Sequence, residues 1–280
     1  EAYNSRQGFY QRAAYLGARC NPVDAGGDPK LGNYRLPEFA LPDGMTLERL
    51  AHRRGLAPLV DGLAKQVEAG GELAAMTEMQ RQAFELIAGP QAREAFDVTR
   101  EPQALRDKYG THAWGHAALL ARRLVEAGVT FVTINLYEKD VDWWDDHYTI
   151  EKNLRKRLPP YDQAFSALIE DLHQRGLAER VLVVACGEFG RNPRIDKNAG
   201  RGHWPRAMTA VLAGGGIRTG QVIGSTTADG GEPADRPLLP GDLLASIYRV
   251  LGIDHEQTLP DLQNRPVRLV DAGEPIRELF

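Results

Sequence analysis

Carboxylates and imidazoles collect just beyond two apolar runs of this chain. After Val129–Leu136 comes Asp142-Trp-Trp-Asp145-Asp146-His147, and after Val181–Cys186 come Glu188, Arg191 and, further on, Arg201-Gly-His203-Trp204. Asp145 and His147, two residues apart, can present a carboxylate oxygen and an imidazole nitrogen to one ion, a donor set that zinc or manganese accepts. The plainer reading of the pair is a surface Asp–His hydrogen bond. Glu188 directly follows an apolar run, where a carboxylate loses hydration unless it meets a cation, and Gly187 and Gly190 permit close backbone approach. Its alternative partner is Arg191 or Arg194. His203 sits among small and turn-forming residues, from which it could reach the same ion, donate to a substrate oxyanion, or simply pack on Trp204. Asp145, His147, Glu188 and His203 are therefore the candidate metal ligands. Arg191 and Arg201 flank them, and their guanidinium forks match phosphate or sulfate, unless they serve only as structural ion-pair partners.

The elements that must position these residues follow from periodicity. Residues 1–45 carry turn signals at Gly26-Gly-Asp-Pro29 and Leu41-Pro-Asp-Gly44 and read as an irregular entry. From Thr46 to about Gly128 the pattern is helical, with Leu56, Leu59, Leu63 and Val67 spaced by three or four and breaks at Gly70-Gly71 and Gly89-Pro90. A helix over Trp114–Ala127 ends at Gly128 and leads into a strand over Val129–Leu136. Beyond it the spacing predicts a helix over Asp162–Gln174, strands at Val181–Cys186 and Met208–Leu212, and a helix over Asp242–Leu251. Gly214-Gly-Gly216 lacks the Lys-Ser/Thr of a phosphate loop and reads as a tight turn. This alternation predicts an α/β core with a mostly parallel sheet over 129–280, and an irregular and helical region over 1–128 packed on it.

Composition excludes several classes. With 280 residues, 42% hydrophobic and 26% charged, the chain can bury a substantial core and is not disordered. A formal charge of −4 gives no general attraction to nucleic acid, and Arg122-Arg123 and Lys152–Arg157 read as solvated helix faces. No apolar stretch is long enough to span a membrane. Two cysteines, Cys20 and Cys186, make no disulfide framework, and Cys186 reads as a small buried hydrophobe. His52, His112, His116, His173 and His255 lie on or beside helical segments and are expected to be structural or solvent-facing.

A longer set of stretches carries a resemblance. Leu120-Ala-Arg-Arg-Leu-Val-Glu-Ala-Gly-Val129, Trp144-Asp-Asp-His147, Gly187-Glu-Phe-Gly-Arg191, Asn198-Ala-Gly-Arg-Gly-His-Trp-Pro205, Leu212-Ala-Gly-Gly-Gly-Ile217 and Gly220-Gln-Val-Ile-Gly224 resemble the domain-of-unknown-function 1501 family. Asp235-Arg-Pro237, Leu251-Gly-Ile253 and Gly273-Glu-Pro-Ile-Arg-Glu-Leu279 extend the likeness to nearly the whole chain. The resemblance implies the alkaline-phosphatase-like, sulfatase-like superfamily: a three-layer α/β sandwich with a mostly parallel sheet, here with a helical insertion in the first half. Its members hydrolyse phosphate or sulfate esters with one or two divalent metals. Family members begin with a Gly-Gly-Pro-Ser-His type stretch followed by Asp, which this sequence does not carry, so the chain is expected to correspond to the carboxyl-terminal portion. The superfamily nucleophile belongs to that stretch, and no nucleophile is assigned here. Family members also often carry Asp where this chain has Gly202.

The expected function is a metal-dependent phosphate- or sulfate-ester hydrolase-like protein, incomplete in this chain, acting on a small-molecule or glycan ester. Zinc or manganese is the expected cofactor. The alternative is a non-catalytic binding or structural protein of the same fold that holds anionic glycans or other oxyanions. A periplasmic or extracytoplasmic location is implied by the resemblance alone.

Overall fold

The computed structural model describes residues 94–135 and 144–280, together with Pro22 and Gly32. The helical pattern expected from Thr46 onward lies outside the described residues as far as residue 93. So do the entry turns, Cys20, His52 and Asp142. The chain divides into two compact units, Glu1–Gln103 with Arg123–Val132, and Ala104–Arg122 with Thr133–Phe280. The boundary expected at 128/129 falls inside the first of them.

In the first unit, a short 3-10 turn over Val98–Arg100 begins at Asp97, whose Oδ1 accepts the Thr99 amide at 3.1 Å. Arg123 donates through Nε to the Ala95 carbonyl at 2.9 Å and also bonds the Glu94 carbonyl and the Glu101 carboxylate. The strand expected over Val129–Leu136 is not formed by its described part. Residues 129–135 have no ladder partner among the described residues, and Phe131 is 68% exposed. Apolar, β-branched composition favours extended backbone, but a strand exists only as half of a hydrogen-bonded ladder.

Among the described residues the complete helices in chain order are α1 (Gln103–Tyr109), α2 (Ala113–Glu126), α3 (Ile150–Gln174) and α4 (Pro240–Val250). The start of α3 is twelve residues earlier than periodicity alone suggests, because Pro159 and Pro160 lie inside it. Each proline removes an amide donor, which reads as a helix start in sequence although the helix continues through it. In the second unit, α3 is anchored by Asp171. Tyr109 donates its hydroxyl to Asp171 Oδ2 at 2.9 Å, Arg122 Nε stands 2.9 Å from the same oxygen, and Arg175 Nε donates to Oδ1 at 2.9 Å. Arg122 is 1% exposed, so the expectation of a solvated Arg122-Arg123 face is corrected. A guanidinium can be buried when a carboxylate neutralises it, which no hydropathy pattern reveals. Burial, with the charge and hydrogen bond of Asp171, pushes the Tyr109 phenol far above its usual range. Trp114, Trp144, Tyr161 and Phe165 pack edge to face and stacked along α3, with centroid separations of 5.3–6.1 Å.

The strands pair two by two: β1 (Leu182–Cys186) with β4 (Ala210–Gly214), β2 (Gly190–Arg191) with β3 (His203–Trp204), β5 (Ser225–Thr226) with β6 (Pro233–Asp235), and β7 (Thr258–Pro260) with β8 (Pro266–Arg268). Among the described residues all four pairs are antiparallel, including the two strands expected within a parallel sheet. Cys186 ends β1 exposed, not buried as its apolar neighbours suggest. Gly214, Gly215 and Gly216 turn with φ of 78°, 67° and 70°, a left-handed run that side chains would strain. Ile217, Ile276 and Leu279 form a core with Leu182, Leu212, Ile223, Leu238, Val250 and Phe280. Ser246 staples the chain end to α4, accepting the Ile276 amide at 2.9 Å and donating to Asp242 O at 2.7 Å.

Two outcomes follow for stability. Asp171→Ala leaves the Arg122 charge buried without its carboxylate and should cost about 3–5 kcal/mol in urea unfolding. His112 precedes α2, and its Nδ1 accepts the Gly115 amide at 3.1 Å, which requires an unprotonated Nδ1. Burial outweighs the Gln163 hydrogen bond and holds its pKa below the ordinary 6.5. With the folded value depressed, this contribution is present above pH 6.5 and lost as pH falls through the folded value. The melting temperature should therefore drop more between pH 7 and 5 in the wild type than in His112→Asn, which caps without titrating.

Candidate functional site

Three segments of the second unit build the site: residues 144–150, the β2–β3 ribbon, and the loop 192–202 between its strands. Their assembly starts at Asp146, whose side chain is 2% exposed. Arg157 on α3 grips it with both nitrogens, Nη1 to Oδ2 and Nη2 to Oδ1, each at 2.9 Å, and Asn153 Nδ2 donates to Oδ1 at 2.7 Å. Asn153 and Arg157 are four residues apart, on one helix face. Asp145 and His147 flank it across a tight turn in which His147 N donates to Asp145 O at 3.0 Å. The Lys152–Arg157 run is thus only partly the solvated face expected, since Arg155 pairs with exposed Glu151 while Arg157 is 13% exposed.

The second join is backbone to backbone. Thr149 N donates to Asn198 O at 3.2 Å, Ile150 N to Ala199 O at 2.8 Å, and Arg201 N to Asp146 O at 2.9 Å. The amides of the cap residue Thr149 and of Ile150, the first residue of α3, are satisfied by this loop. The approach is so close that a Cβ on Gly200 would overlap the His147 carbonyl. Thr149 and Ala199 pay in conformation for it, with φ of 45° and 55°. Left-handed backbone at a non-glycine residue costs about 1–2 kcal/mol, and such strain concentrates at functional sites. The third join is the β2–β3 register, which sets Arg191 opposite His203.

These joins bring Asp145, His147 and His203 into one group. Asp145 Oδ1 lies 3.1 Å from His147 Nε2 and 2.9 Å from His203 Nε2, and the two Nε2 atoms are 3.2 Å apart. Arg191 Nη2 donates to the same Oδ1 at 2.6 Å. Partial burial pushes the Asp145 carboxyl up, but the His203 and Arg191 hydrogen bonds and the Arg191 charge outweigh it and hold the group below the ordinary carboxylate range. His203 packs on Phe189, with ring centroids 4.4 Å apart, and not on Trp204, whose indole N–H goes to Gly231 O at 2.6 Å.

The triangle has a chemical consequence. Each imidazole Nε2 offers one in-plane site, either a proton or a lone pair. Two nitrogens can serve only two of the three edges, so with both donating to Asp145 the 3.2 Å contact between them has no hydrogen bond to account for it. One cation at the centre satisfies all three atoms. Tetrahedral ligands about 2.0–2.1 Å from zinc stand roughly 3.3 Å from one another, close to the separations here.

Of the six residues singled out by sequence, the group contains Asp145, His147 and His203, with Arg191 against it. Glu188 is not in it. It lies exposed in the bend between β1 and β2, so the burial argued for it from the apolar run does not hold. Arg201 spends its guanidinium on the backbone, Nε to Asn192 O and Nη2 to Arg191 O at 3.2 Å, which ties the loop ends together instead of presenting an anion fork. Sequence reading missed Asp146, Asn153, Arg157 and Phe189. The i, i+4 spacing of Asn153 and Arg157 was a usable signal, but a carboxylate adjacent to Asp145 looked like part of the same polar cluster. A side chain at Gly202 would meet open space, so glycine is not sterically required there.

Asp146→Ala removes the counter-charge of Arg157 and should lower stability by about 3 kcal/mol. Amide hydrogen exchange should accelerate in 145–150 and 198–203 together, since the two segments share one set of backbone bonds.

No curated protein and no solved structure matches the chain. A family model described as a protein of unknown function (DUF1501) matches residues 2–280, and the chain belongs to that family.

Proposed function

We propose that this chain carries a divalent-metal centre of the phosphate- or sulfate-ester hydrolase type, with Asp145, His147 and His203 as protein ligands. The observation that carries this reading is the Asp145–His147–His203 triangle, whose 2.9–3.2 Å edges a hydrogen-bond scheme cannot fill and a single cation can. Two imidazoles and a carboxylate are a donor set for zinc or manganese, and three protein ligands leave a coordination position open, as catalytic zinc sites do. A bound ion would act as a Lewis acid on an ester oxygen or on water. Around it, the chain's own groups orient and restrict: Phe189 shields one face of His203, Asp146 fixes the loop that bears Asp145 and His147, and Arg191 holds positive charge beside the centre. The alkaline-phosphatase-like sandwich and an extracytoplasmic location belong to the same reading and rest on the family resemblance. A small-molecule or glycan ester as substrate belongs to the same reading, and the ligands are 42–51% exposed, an open site that leaves room for it.

The test is metal content by mass spectrometry after dialysis against zinc or manganese, for the wild type, His203→Ala and Glu188→Ala, followed by aryl phosphate and aryl sulfate hydrolysis with each metal. Near-stoichiometric metal in the wild type and Glu188→Ala but not in His203→Ala is expected, with turnover removed by chelator. A wild type that takes up no metal overturns the reading; metal uptake with sulfate or phosphate binding and no turnover selects the non-catalytic oxyanion-binding protein.

A further inference from the structure

Arg191 makes the shortest of the polar contacts that Asp145 Oδ1 receives, 2.6 Å from Nη2, and that oxygen is also the carboxylate corner of the triangle. The guanidinium is 17% exposed while Asp145 is 51% exposed, so the charge is held from the protein side and the carboxylate faces outward. We infer that Arg191 is a removable counter-ion of Asp145 that competes with the metal for this carboxylate and, once released, becomes the oxyanion contact of the site, so that metal and oxyanion favour each other's binding. This rests on the metal reading above.

The argument is one of charge and reach. A guanidinium and a divalent cation on one carboxylate oxygen repel each other, so the pair must lengthen when the ion enters. Apart from its partial burial, the other described contacts of the Arg191 guanidinium are weak. Its other described hydrogen bond, Nη1 to Arg201 O, is 3.3 Å, at the weak end of the range, and its stacking on Phe189 is a 5.8 Å contact. Phe189 touches both Arg191 and His203, so a guanidinium leaving Asp145 keeps an aromatic neighbour beside the site. Arg201, fastened to Asn192 and Arg191 carbonyls, is not a competitor for the anion. Binding an oxyanion to Arg191 then releases Asp145 for the metal, and by linkage the metal raises oxyanion affinity by the same factor.

The experiment is calorimetric titration of manganese into the full chain, with and without sulfate, for the wild type, Arg191→Gln, Arg191→Lys and the double variant Arg191→Gln/His203→Ala. Arg191→Gln should bind manganese about fivefold more tightly than the wild type, the worth of a partly exposed ion pair, and should lose most of the sulfate enhancement. Arg191→Lys, which keeps the charge but not the fork, should stay within about twofold of the wild type, and this variant decides the matter if Arg191→Gln does not fold. The double variant should bind no manganese, which places the ion in the triangle. Equal or weaker manganese affinity in folded Arg191→Gln, or a tenfold gain in Arg191→Lys, overturns the inference while leaving the metal reading standing. Absence of manganese binding in all four proteins overturns both.

Discussion

The arrangement depends on burying the Asp146 carboxylate against Arg157. A charge removed from water at this depth is tolerated because the guanidinium meets it with two parallel hydrogen bonds and Asn153 adds a third. That side chain is fixed against the α3 face, and the backbone bonds of Asp146, Thr149 and Ile150 to the 198–201 loop fix the course of the chain around it. Asp145 and His147 emerge on the other side, and the Asp146 carbonyl is placed to receive the Arg201 amide. The loop 198–201 is thereby held against the start of α3, and His203 follows two residues later. A single ion pair on a helix thus sets the positions of three side chains that lie 56 and 58 residues apart in sequence.

What this frame holds is a group under electrostatic tension. Asp145 receives a guanidinium and two imidazoles on one oxygen, and the imidazoles face each other at hydrogen-bond distance without the protons to account for every contact. Left-handed backbone at Thr149 and Ala199 and the close approach at Gly200 show that the frame bears strain of its own. The frame fixes the backbone that bears Asp145, His147 and His203, so the exchange inferred at Arg191 is confined to a side chain.

The second unit is stabilised at separate points. The Asp171 network ties α3 to Tyr109 and Arg122, and the Ile217–Ile276–Leu279 cluster with the Ser246 staple secures the carboxyl-terminal segment. Both combine buried polar contacts, at Asp171 and at Ser246, with apolar packing. A helix with two prolines in its middle needs such anchors, because its own backbone ladder is interrupted at Pro159 and Pro160.

The sequence by itself determined the chemical inventory. The spacing of Asp145 and His147, the Gly-rich setting of His203, the helices ending at Gly128 and around Val250, and the glycine turn after β4 were all legible because each depends on neighbours within a few residues. Membership of the DUF1501 family was legible for the same reason, from short stretches spread along the chain. Tertiary structure alone decided which candidates meet. Glu188 and Arg201 have the right chemistry, yet one is left exposed in a bend and the other is committed to backbone carbonyls, outcomes fixed by strand ends and ladder register. Arg122 and Arg157 look like solvent-facing charges until their carboxylates are found 49 residues downstream and 11 residues upstream. Pairing across such distances leaves no local periodicity to read, and the energy that selects it is released only when both charges leave water together.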